Sequence, residues 1–247
     1  MGRRCGKDGI VIVFGGQGIL LDVEGTTSSI SFVYDVLFAF ARTHIADFLT
    51  THSGDEVVRS AAAQIAAEAG LQDLSIDDPG SRLLVVQAAI DLMNCDKKTK
   101  PLKDLQGMIW RQGFASGELV AHVFVDVPPA LECWANSGLD VRVYSSGSIE
   151  AQKLFFAHTC FGDLGGYFRG HYDTSSGPKR EVASYRTIAT AMQMEPRQIL
   201  FVSDVGEELD AARQSGMATA LARRPGNPDT TACLQHEQIE SFSEIIC

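Results

Sequence analysis

The chain has 247 residues, of which 45% are hydrophobic and 21% are charged, and its formal net charge is −10. These values are ordinary for a globular domain and exclude a mainly disordered chain, and the length suffices for a core without disulfide or metal staples. The chain has no basic run longer than a pair and no apolar run of the roughly 18–20 residues that a membrane helix needs. We therefore expect neither nucleic acid nor a membrane as a partner.

Short apolar runs that end in polar, glycine-rich turns indicate strands at 10–23 and from residue 123 onward. Examples are 19–22, 141–145 and 199–204, and such runs of Val, Ile and Leu are typical of buried strands in a parallel sheet. The alternation of these runs with helical patterns predicts a doubly wound, mostly parallel α/β sheet. The predicted helices are 128–136, 150–159, 181–192 and 207–215.

The stretch from about residue 32 to 119 lacks this alternation, because its apolar residues recur at helical spacing. We expect a helical insert after the first strand of the main sheet. Its predicted helices are 35–50, 54–69, 79–95 and 102–113. The predicted division is an α/β core of residues 1–26 and 121–247 and an inserted helical domain of residues 27–120.

Two carboxylates, Asp22 and Glu24, follow the first strand of this sheet, and Gly25 comes directly after them. Residues two apart on an extended chain both project from the strand's carboxyl end, where open α/β sheets bind ligands. One carboxylate can attack a phosphorus atom while the other donates and then accepts a proton. A turn or a helix cap explains these acids equally well.

A hydroxyl cluster follows a later strand, at 144–148. Ser145 and Ser146 can offer hydroxyl and main-chain N–H groups to an anion at the start of the next helix. The alternative is that a serine of this cluster, Ser148, only caps that helix.

A lysine and a further acidic cluster follow the next two predicted turns. Lys179 can pair with a phosphate or an aspartate, although most single lysines are merely solvated. Asp204 is expected near Asp22, and crowded carboxylates repel each other unless a cation lies among them. Oxygen ligands without His or Cys indicate Mg²⁺. The neighbouring Glu207 and Glu208 are explained by the dipole of the helix that they begin.

In the order acid, hydroxyl, lysine, acid, these motifs resemble those of the haloacid dehalogenase-like hydrolases, which are mostly Mg²⁺-dependent phosphatases. Within that superfamily the chain is similar to the enolase-phosphatases of methionine salvage, over about residues 19–227. The similarity rests on the stretches 20–27, 30–33, 102–110, 144–148, 151–154, 201–205 and 224–227.

The resemblance implies a metal site for one Mg²⁺ per chain. Asp22 is expected to be the nucleophile and a Mg²⁺ ligand, and Asp204 to hold the same ion. Glu24 is expected to coordinate Mg²⁺ through its main-chain carbonyl and to use its carboxylate as acid and base. At this second acidic position most of the superfamily has aspartate, and glutamate is typical of this family.

The resemblance also implies the substrate, a small phosphate ester. Ser145, Ser146 and Lys179 are expected to bind its phosphate. The family enolises 2,3-diketo-5-methylthiopentyl 1-phosphate and then removes the phosphate, leaving the acireductone 1,2-dihydroxy-3-keto-5-methylthiopentene. The insert is then expected to be a cap over the site. The base for enolisation is not identified, and Glu24 and a group of the insert are the alternatives.

Two other functions stay open. One is a related phosphatase of another small phosphate ester, and the other is an inactive relative that serves as a binding protein, which the intact motifs disfavour. We expect a monomer. We also expect the cytoplasm, since the six scattered cysteines are typical of free thiols in a reducing compartment.

Two regions have alternative explanations. Residues 1–18 precede the usual start of the family and are an extra strand, a loose tail or an upstream start. In the insert, Trp110 and Phe114 either contact substrate or belong to the core.

Overall fold

A computed structural model of the protein describes residues 2–6, 9–71, 74–95, 97, 99–228 and 235–247. The chain divides into two compact units, an α/β unit of Met1–Val33 and Val120–Cys247 and a helical unit of Tyr34–Leu119. The functional division at 1–26, 27–120 and 121–247 stays a prediction, as does the role of the helical unit as a cap.

Two strands precede the main sheet. β1 (Gly2–Gly6) and β2 (Gly9–Val13) pair antiparallel, and β2 also pairs in parallel with the C-terminal strand Ile245–Ile246. In the described part of residues 1–18, the extra-strand interpretation is therefore confirmed and the loose tail is wrong. This small sheet joins the beginning of the chain to its end.

Six parallel strands form the main sheet within the described residues, in the order β5-β4-β3-β6-β7-β8. From β3 the chain moves to one side through β4 and β5, and then to the other side through β6, β7 and β8. The order therefore reverses between β3 and β6, and open α/β sheets bind ligands at such a switch point. The strands are β3 (Gly18–Leu21), β4 (Asp140–Tyr144), β5 (Gly170–Tyr172), β6 (Ile199–Ser203), β7 (Ala218–Ala222) and β8 (Glu237–Ile239).

The helical unit packs its helices around buried side chains of α4. Trp110 is buried and its Nε1 donates a hydrogen bond of 2.8 Å to the carbonyl of Leu37, and Phe114 is also buried. Both side chains therefore belong to the core of this unit. A π-helical segment, Phe32–Phe38, leads into the unit. It is followed by α1 (Ala39–Thr51), α2 (Glu56–Glu68), α3 (Pro79–Asn94) and α4 (Lys100–Ser116).

The α/β unit places its helices against the sheet. Helix α5 packs on β4 and α6 on β5, while α7 and α8 pack together and α8 lies on β6 and β7. Every residue of β3 and β6 is buried, as expected for central strands covered on both faces. These helices are α5 (Val127–Asn136), α6 (Ile149–Ala157), α7 (Val182–Ala191) and α8 (Gly206–Ser215). The doubly wound α/β fold that the sequence predicts is confirmed.

None of the helices in the described ranges combines the length and the apolar character that crossing a bilayer requires.

Candidate active site

The nucleophile predicted from the sequence lies at the switch point of the sheet. Leu21 of β3 is paired with Val202 of β6, and the main-chain N–H of Asp22 donates to the Val202 carbonyl at 3.0 Å. The two strands therefore end side by side, and Asp22 and Asp204 follow at the same edge. The N–H of Val23 donates to Asp22 Oδ1 at 2.7 Å, which fixes the direction of the carboxylate.

Lys179 lies between two carboxylates in the interior of this edge. Its Nζ is 2.8 Å from Asp22 Oδ2 and 2.6 Å from Glu208 Oε2, and only 9% of its side chain is exposed. Burial alone would lower the pKa of Lys179, but Asp22 and Glu208 outweigh it and raise that pKa above its usual value. The lysine therefore stays charged and compensates two buried acids.

The hydroxyl of Ser203 lies between the same two acids. Its Oγ is 3.1 Å from Asp22 Oδ2 and 3.1 Å from Glu208 Oε2, and it accepts a hydrogen bond from the N–H of Val205. Burial and the charge of Asp22 raise the pKa of Glu208 to about 7. Lys179 and Ser203 thus hold Asp22 and Glu208 together at a short separation that their charges alone would oppose.

The loop that carries Lys179 is fastened by side chains of neighbouring elements. The hydroxyl of Tyr144 donates to the Gly177 carbonyl at 2.8 Å, and that of Tyr185 donates to the Lys179 carbonyl at 2.6 Å. The hydroxyl of Ser184 donates to the Pro178 carbonyl at 2.7 Å. Burial raises the pKa of Tyr144 to about 12, so this phenol remains a donor at neutral pH. The ammonium of Lys179 is positioned by main-chain contacts as well as by its ion pairs.

Asp204 lies against the turn that follows the nucleophile. Gly25 has a φ of +68°, and a Cβ at this position would overlap the carboxylate of Asp204. Only glycine therefore allows both the left-handed backbone and this close approach. Burial and the charge of Asp22 raise the pKa of Asp204 to about 7. The structure thus brings Asp22, Lys179 and Asp204 together, as the sequence predicts.

Glu24 is partly exposed, and its main chain forms a bridge with that of Ser28. Among the described residues, no group of three or more His, Cys, Asp or Glu side chains has the arrangement of a metal site.

The hydroxyl cluster begins directly after β4, the neighbour of β3. Ser145 is buried and its N–H donates to the Tyr172 carbonyl at 3.2 Å, whereas Ser146 is partly exposed. Ser148 caps helix α6, because its Oγ accepts a hydrogen bond from the N–H of Ala151. The capping interpretation is therefore confirmed for Ser148, while Ser145 and Ser146 remain at the edge where β3 also ends.

Two residues that contact Asp22 or Lys179, namely Ser203 and Glu208, are not predicted as site residues from the sequence. The sequence explains Glu207 and Glu208 alike as acids at a helix start, and the structure separates them. Glu207 is exposed and pairs with Arg180, whereas Glu208 is buried and pairs with Lys179. A sequence signal for the burial of Glu208 exists, because helical spacing places it on the same face of α8 as the buried residues Leu209 and Ala212.

The chain is similar to named proteins of other organisms. It is 46% identical over 231 residues to "Enolase-phosphatase E1" of Pseudomonas aeruginosa (strain LESB58), covering 93% of this chain and 98% of that protein. No protein-family model matches the chain.

Solved structures agree with this similarity. The UTR4 protein of Saccharomyces cerevisiae matches with a TM-score of 0.78 and 30% identity, over 92% of this chain and 99% of that one. An L-2-haloacid dehalogenase matches with a TM-score of 0.52 and 17% identity, over 92% of this chain and 96% of that one, which shows a shared fold.

Proposed function

Because the chain belongs to the enolase-phosphatase family of haloacid dehalogenase-like hydrolases, we propose that it enolises 2,3-diketo-5-methylthiopentyl 1-phosphate and then hydrolyses the phosphate ester. The product is the acireductone of methionine salvage, 1,2-dihydroxy-3-keto-5-methylthiopentene. The observation that carries the phosphatase half is the buried cluster of Asp22, Lys179 and Glu208 at the switch point of the sheet.

Asp22 is the nucleophile of the proposed phosphoryl transfer. Its carboxylate attacks the phosphorus, the bond from phosphorus to the ester oxygen breaks, and an aspartyl-phosphate forms. The carboxyl group of Glu24 gives its proton to the departing oxygen. Its carboxylate then takes a proton from the water that attacks the aspartyl-phosphate, so inorganic phosphate leaves and Asp22 is regenerated.

Lys179, Ser145 and Ser146 act on the phosphate in this proposal. The buried ammonium of Lys179 offsets the charge of the transferring phosphoryl group, and a fixed charge in a site of low dielectric acts more strongly than one in water. The two serines supply hydroxyl and main-chain donors at the adjacent strand end. Their place beside β3 supports this role.

The residues present fit a magnesium ion. Burial raises the pKa of Asp204 and the charge of Asp22 adds to this, while Lys179 already compensates Asp22 and Glu208. An oxygen-only set of two carboxylates and the carbonyl of Glu24 suits Mg²⁺ better than a softer metal. When bound, Mg²⁺ would supply charge stabilisation for the phosphoryl group and polarisation of a ketone oxygen.

Enolisation needs a base that removes a proton from the carbon next to the ketone. Glu24 is our proposal for this base, since its carboxylate is on the same turn as Asp22 and partly open to solvent. The proton would then be available for the ester oxygen that departs in the second step.

We expect the protein to be located in a reducing cytoplasm. Free thiols support this proposal, and we expect the chain to act as a monomer on a small phosphate ester. The net charge of −10 disfavours nucleic acid. In the part of the chain that the structure describes, the free thiols are Cys95, Cys133, Cys160 and Cys247.

The covalent step can be tested by acid quenching during turnover with Mg²⁺, followed by peptide mass spectrometry. We expect one phosphoryl group on the peptide that contains Asp22, and none with Asp22→Asn. Turnover with a phosphoryl group on another residue, or with none at any time point, would overturn Asp22 as nucleophile.

A further inference from the structure

The segment 224–227 contributes to the family resemblance but has no part in the chemistry described above. It follows strand β7, close to the carboxyl edge of the sheet. Two of its side chains, Arg224 and Asn227, reach the turn directly after Glu24. We refer to these two side chains as the clamp.

The clamp binds two successive carbonyls of the turn. Asn227 Nδ2 donates to the carbonyl of Gly25 at 2.9 Å and to that of Ala222 at 3.2 Å. Arg224 Nε donates to the carbonyl of Thr26 at 2.9 Å. The turn that carries the catalytic acids is thereby tied to a loop about 200 residues away in the sequence.

Arg224 is itself held firmly. Only 6% of it is exposed, and its Nη1 donates at 2.8 Å to both Asp126 Oδ2 and the carbonyl of Glu240. Its guanidinium lies between the rings of Phe124 and Phe242, at 4.7 and 4.5 Å from their centroids. A planar, stacked and paired guanidinium has little freedom, so it provides a rigid support for the Thr26 carbonyl.

The same turn also lies against Asp204. A Cβ on Gly25 would overlap the Asp204 carboxylate, and Asp204, Arg224 and Asn227 line one pocket of about 430 Å³. The turn therefore contacts both Asp204 and the clamp. Displacing it would move the carbonyl of Glu24 and change the separation of Asp22 from Asp204.

Stabilisation alone does not explain these side chains. Within the described part of the chain, Arg224 Nη2, Asn227 Oδ1 and Thr26 Oγ1 are buried without a hydrogen-bond partner. Unpaired buried polar atoms cost free energy, and apolar residues of similar shape would avoid that cost. What polar side chains provide here is two donors aimed at two particular carbonyls.

We propose that Arg224 and Asn227 are positioning residues that set the geometry of the Asp22–Asp204 pair and of the Glu24 carbonyl. The inference rests on the proposed function, since that geometry matters only for metal binding and phosphoryl transfer. It predicts that loss of the clamp impairs Mg²⁺ binding and turnover more than it impairs folding.

The sharpest test is Asn227→Leu, which keeps nearly the size of the side chain and removes the donor to Gly25 without adding a charge near Asp204. We expect kcat for phosphate release to fall about 10- to 100-fold, as for other small misplacements of catalytic groups, with KM changed far less. Calorimetric titration of the substrate-free protein with Mg²⁺ should show a weakened Kd, while the melting temperature stays near that of the wild type. Asn227→Ala should act in the same direction and carries the test if Asn227→Leu does not fold.

The matched control is Arg142→Met. It removes another partly buried arginine pair of the same unit, in which Arg142 Nη2 lies 2.8 Å from Asp140 Oδ2. We expect a lower melting temperature with unchanged Mg²⁺ affinity and kcat. Arg224→Lys keeps a positive charge opposite Asp126 but loses the guanidinium group, which contacts Asp126 and the Thr26 carbonyl through different nitrogens. It should therefore weaken Mg²⁺ binding.

Wild-type Mg²⁺ affinity and kcat in the Asn227 variants would overturn the proposal. So would losses in these variants that only parallel a fall in melting temperature. Failure of the proposed function has a different signature, because the wild type itself would then not turn over the diketone phosphate, while the Mg²⁺ titrations would still compare the variants.

Discussion

The ammonium of Lys179 lies 2.8 Å from Asp22 Oδ2, with 9% and 6% of the two side chains exposed. A buried pair of this kind is costly to break, because the partner that remains is a buried charge without compensation. Lys179 also pairs with Glu208, so one cation balances two acids. Lys179 therefore contributes to the folded state as well as to the proposed chemistry.

Lys179→Met should remove both contributions. We expect phosphate release to become undetectable or to fall at least about 100-fold, because a charged group in a preorganised site is lost. We also expect the free energy of unfolding to fall by about 3–5 kcal/mol, as for other broken buried pairs. Phosphate assay and chemical denaturation check the two parts.

A lysine on the surface provides the control. Lys100 pairs with Asp104 at 2.6 Å, but 83% of its side chain is exposed. Lys100→Met should change neither measurement appreciably, since exposed pairs contribute little. Equal effects of the two substitutions would contradict the special role of Lys179.

Two adjacent acids allow a second matched comparison. Glu208→Gln keeps the shape of the side chain but removes one of the two carboxylates that hold Lys179. We expect kcat to fall about 10- to 100-fold through displacement of the ammonium. The free energy of unfolding should fall by less than in Lys179→Met, because Lys179 keeps its buried contact with Asp22.

Glu207→Gln is the control for Glu208→Gln, because Glu207 is exposed and pairs with Arg180. It should leave kcat unchanged. A loss of activity in Glu207→Gln as large as in Glu208→Gln would show that kcat depends on the negative charge at the helix start and not on the Lys179 contact.

The close approach of Gly25 to Asp204 leads to a third prediction. Gly25→Ala adds a Cβ that overlaps the Asp204 carboxylate, at a left-handed φ of +68°. Mg²⁺ affinity and phosphate release should both fall sharply. Gly138→Ala provides the comparison, because Gly138 has a φ of +80° and open space around it.

Both alanine variants bear the cost of a left-handed alanine, about 1–2 kcal/mol. Only Gly25→Ala should also lose Mg²⁺ affinity, measured by titration calorimetry. Equal Mg²⁺ affinity in the two variants would contradict a tight fit between Gly25 and Asp204.

Much of this site follows from the sequence for a simple reason. In a parallel sheet the carboxyl ends of the strands share one edge. Motifs that follow three apolar runs can therefore be predicted to lie near one another, even when the side-chain contacts are unknown. Asp22, Ser145 and Asp204 are predictable in this way. The central strands are predictable too, because burial on both faces leaves an unbroken apolar run, as in β6.

Other features could not be predicted, because short or weakly apolar segments carry little pattern. Strand β5 has only three residues, and β7 (ATALA) owes its place to pairing with β6 rather than to bulky side chains. The role of Glu208 depends on the direction in which one turn of helix points it. The hydrogen bonds of Arg224 and Asn227 join distant segments, which local periodicity does not reveal.

His171 provides a pH-dependent test of the region behind the hydroxyl cluster. Burial, together with the charge of Lys153, lowers the pKa of His171 to about 4. Nδ1 of His171 lies 3.2 Å from Gln152 Oε1, and Gln152 Nε2 donates to the Gly147 and Tyr172 carbonyls.

Since the unfolded chain takes up this proton near pH 6.5 and the folded chain only near pH 4, His171 destabilises the fold as the pH falls between these values. His171→Asn keeps a donor for Gln152 and cannot take up the proton. Its stability should therefore fall less than that of the wild type from pH 6.5 to 4, as followed by denaturation. Parallel stability curves would contradict the neutral, buried state of His171.

We propose that one chain performs enolisation and phosphate hydrolysis in sequence. We would follow ultraviolet absorbance and inorganic phosphate together, with 2,3-diketo-5-methylthiopentyl 1-phosphate, in the presence of Mg²⁺ or EDTA, for the wild type and Asp22→Asn. We expect a transient enol absorbance followed by phosphate release in the wild type, both lost with EDTA, and no phosphate from Asp22→Asn. Phosphate release from the wild type without any enol phase would contradict sequential enolisation and hydrolysis on one chain.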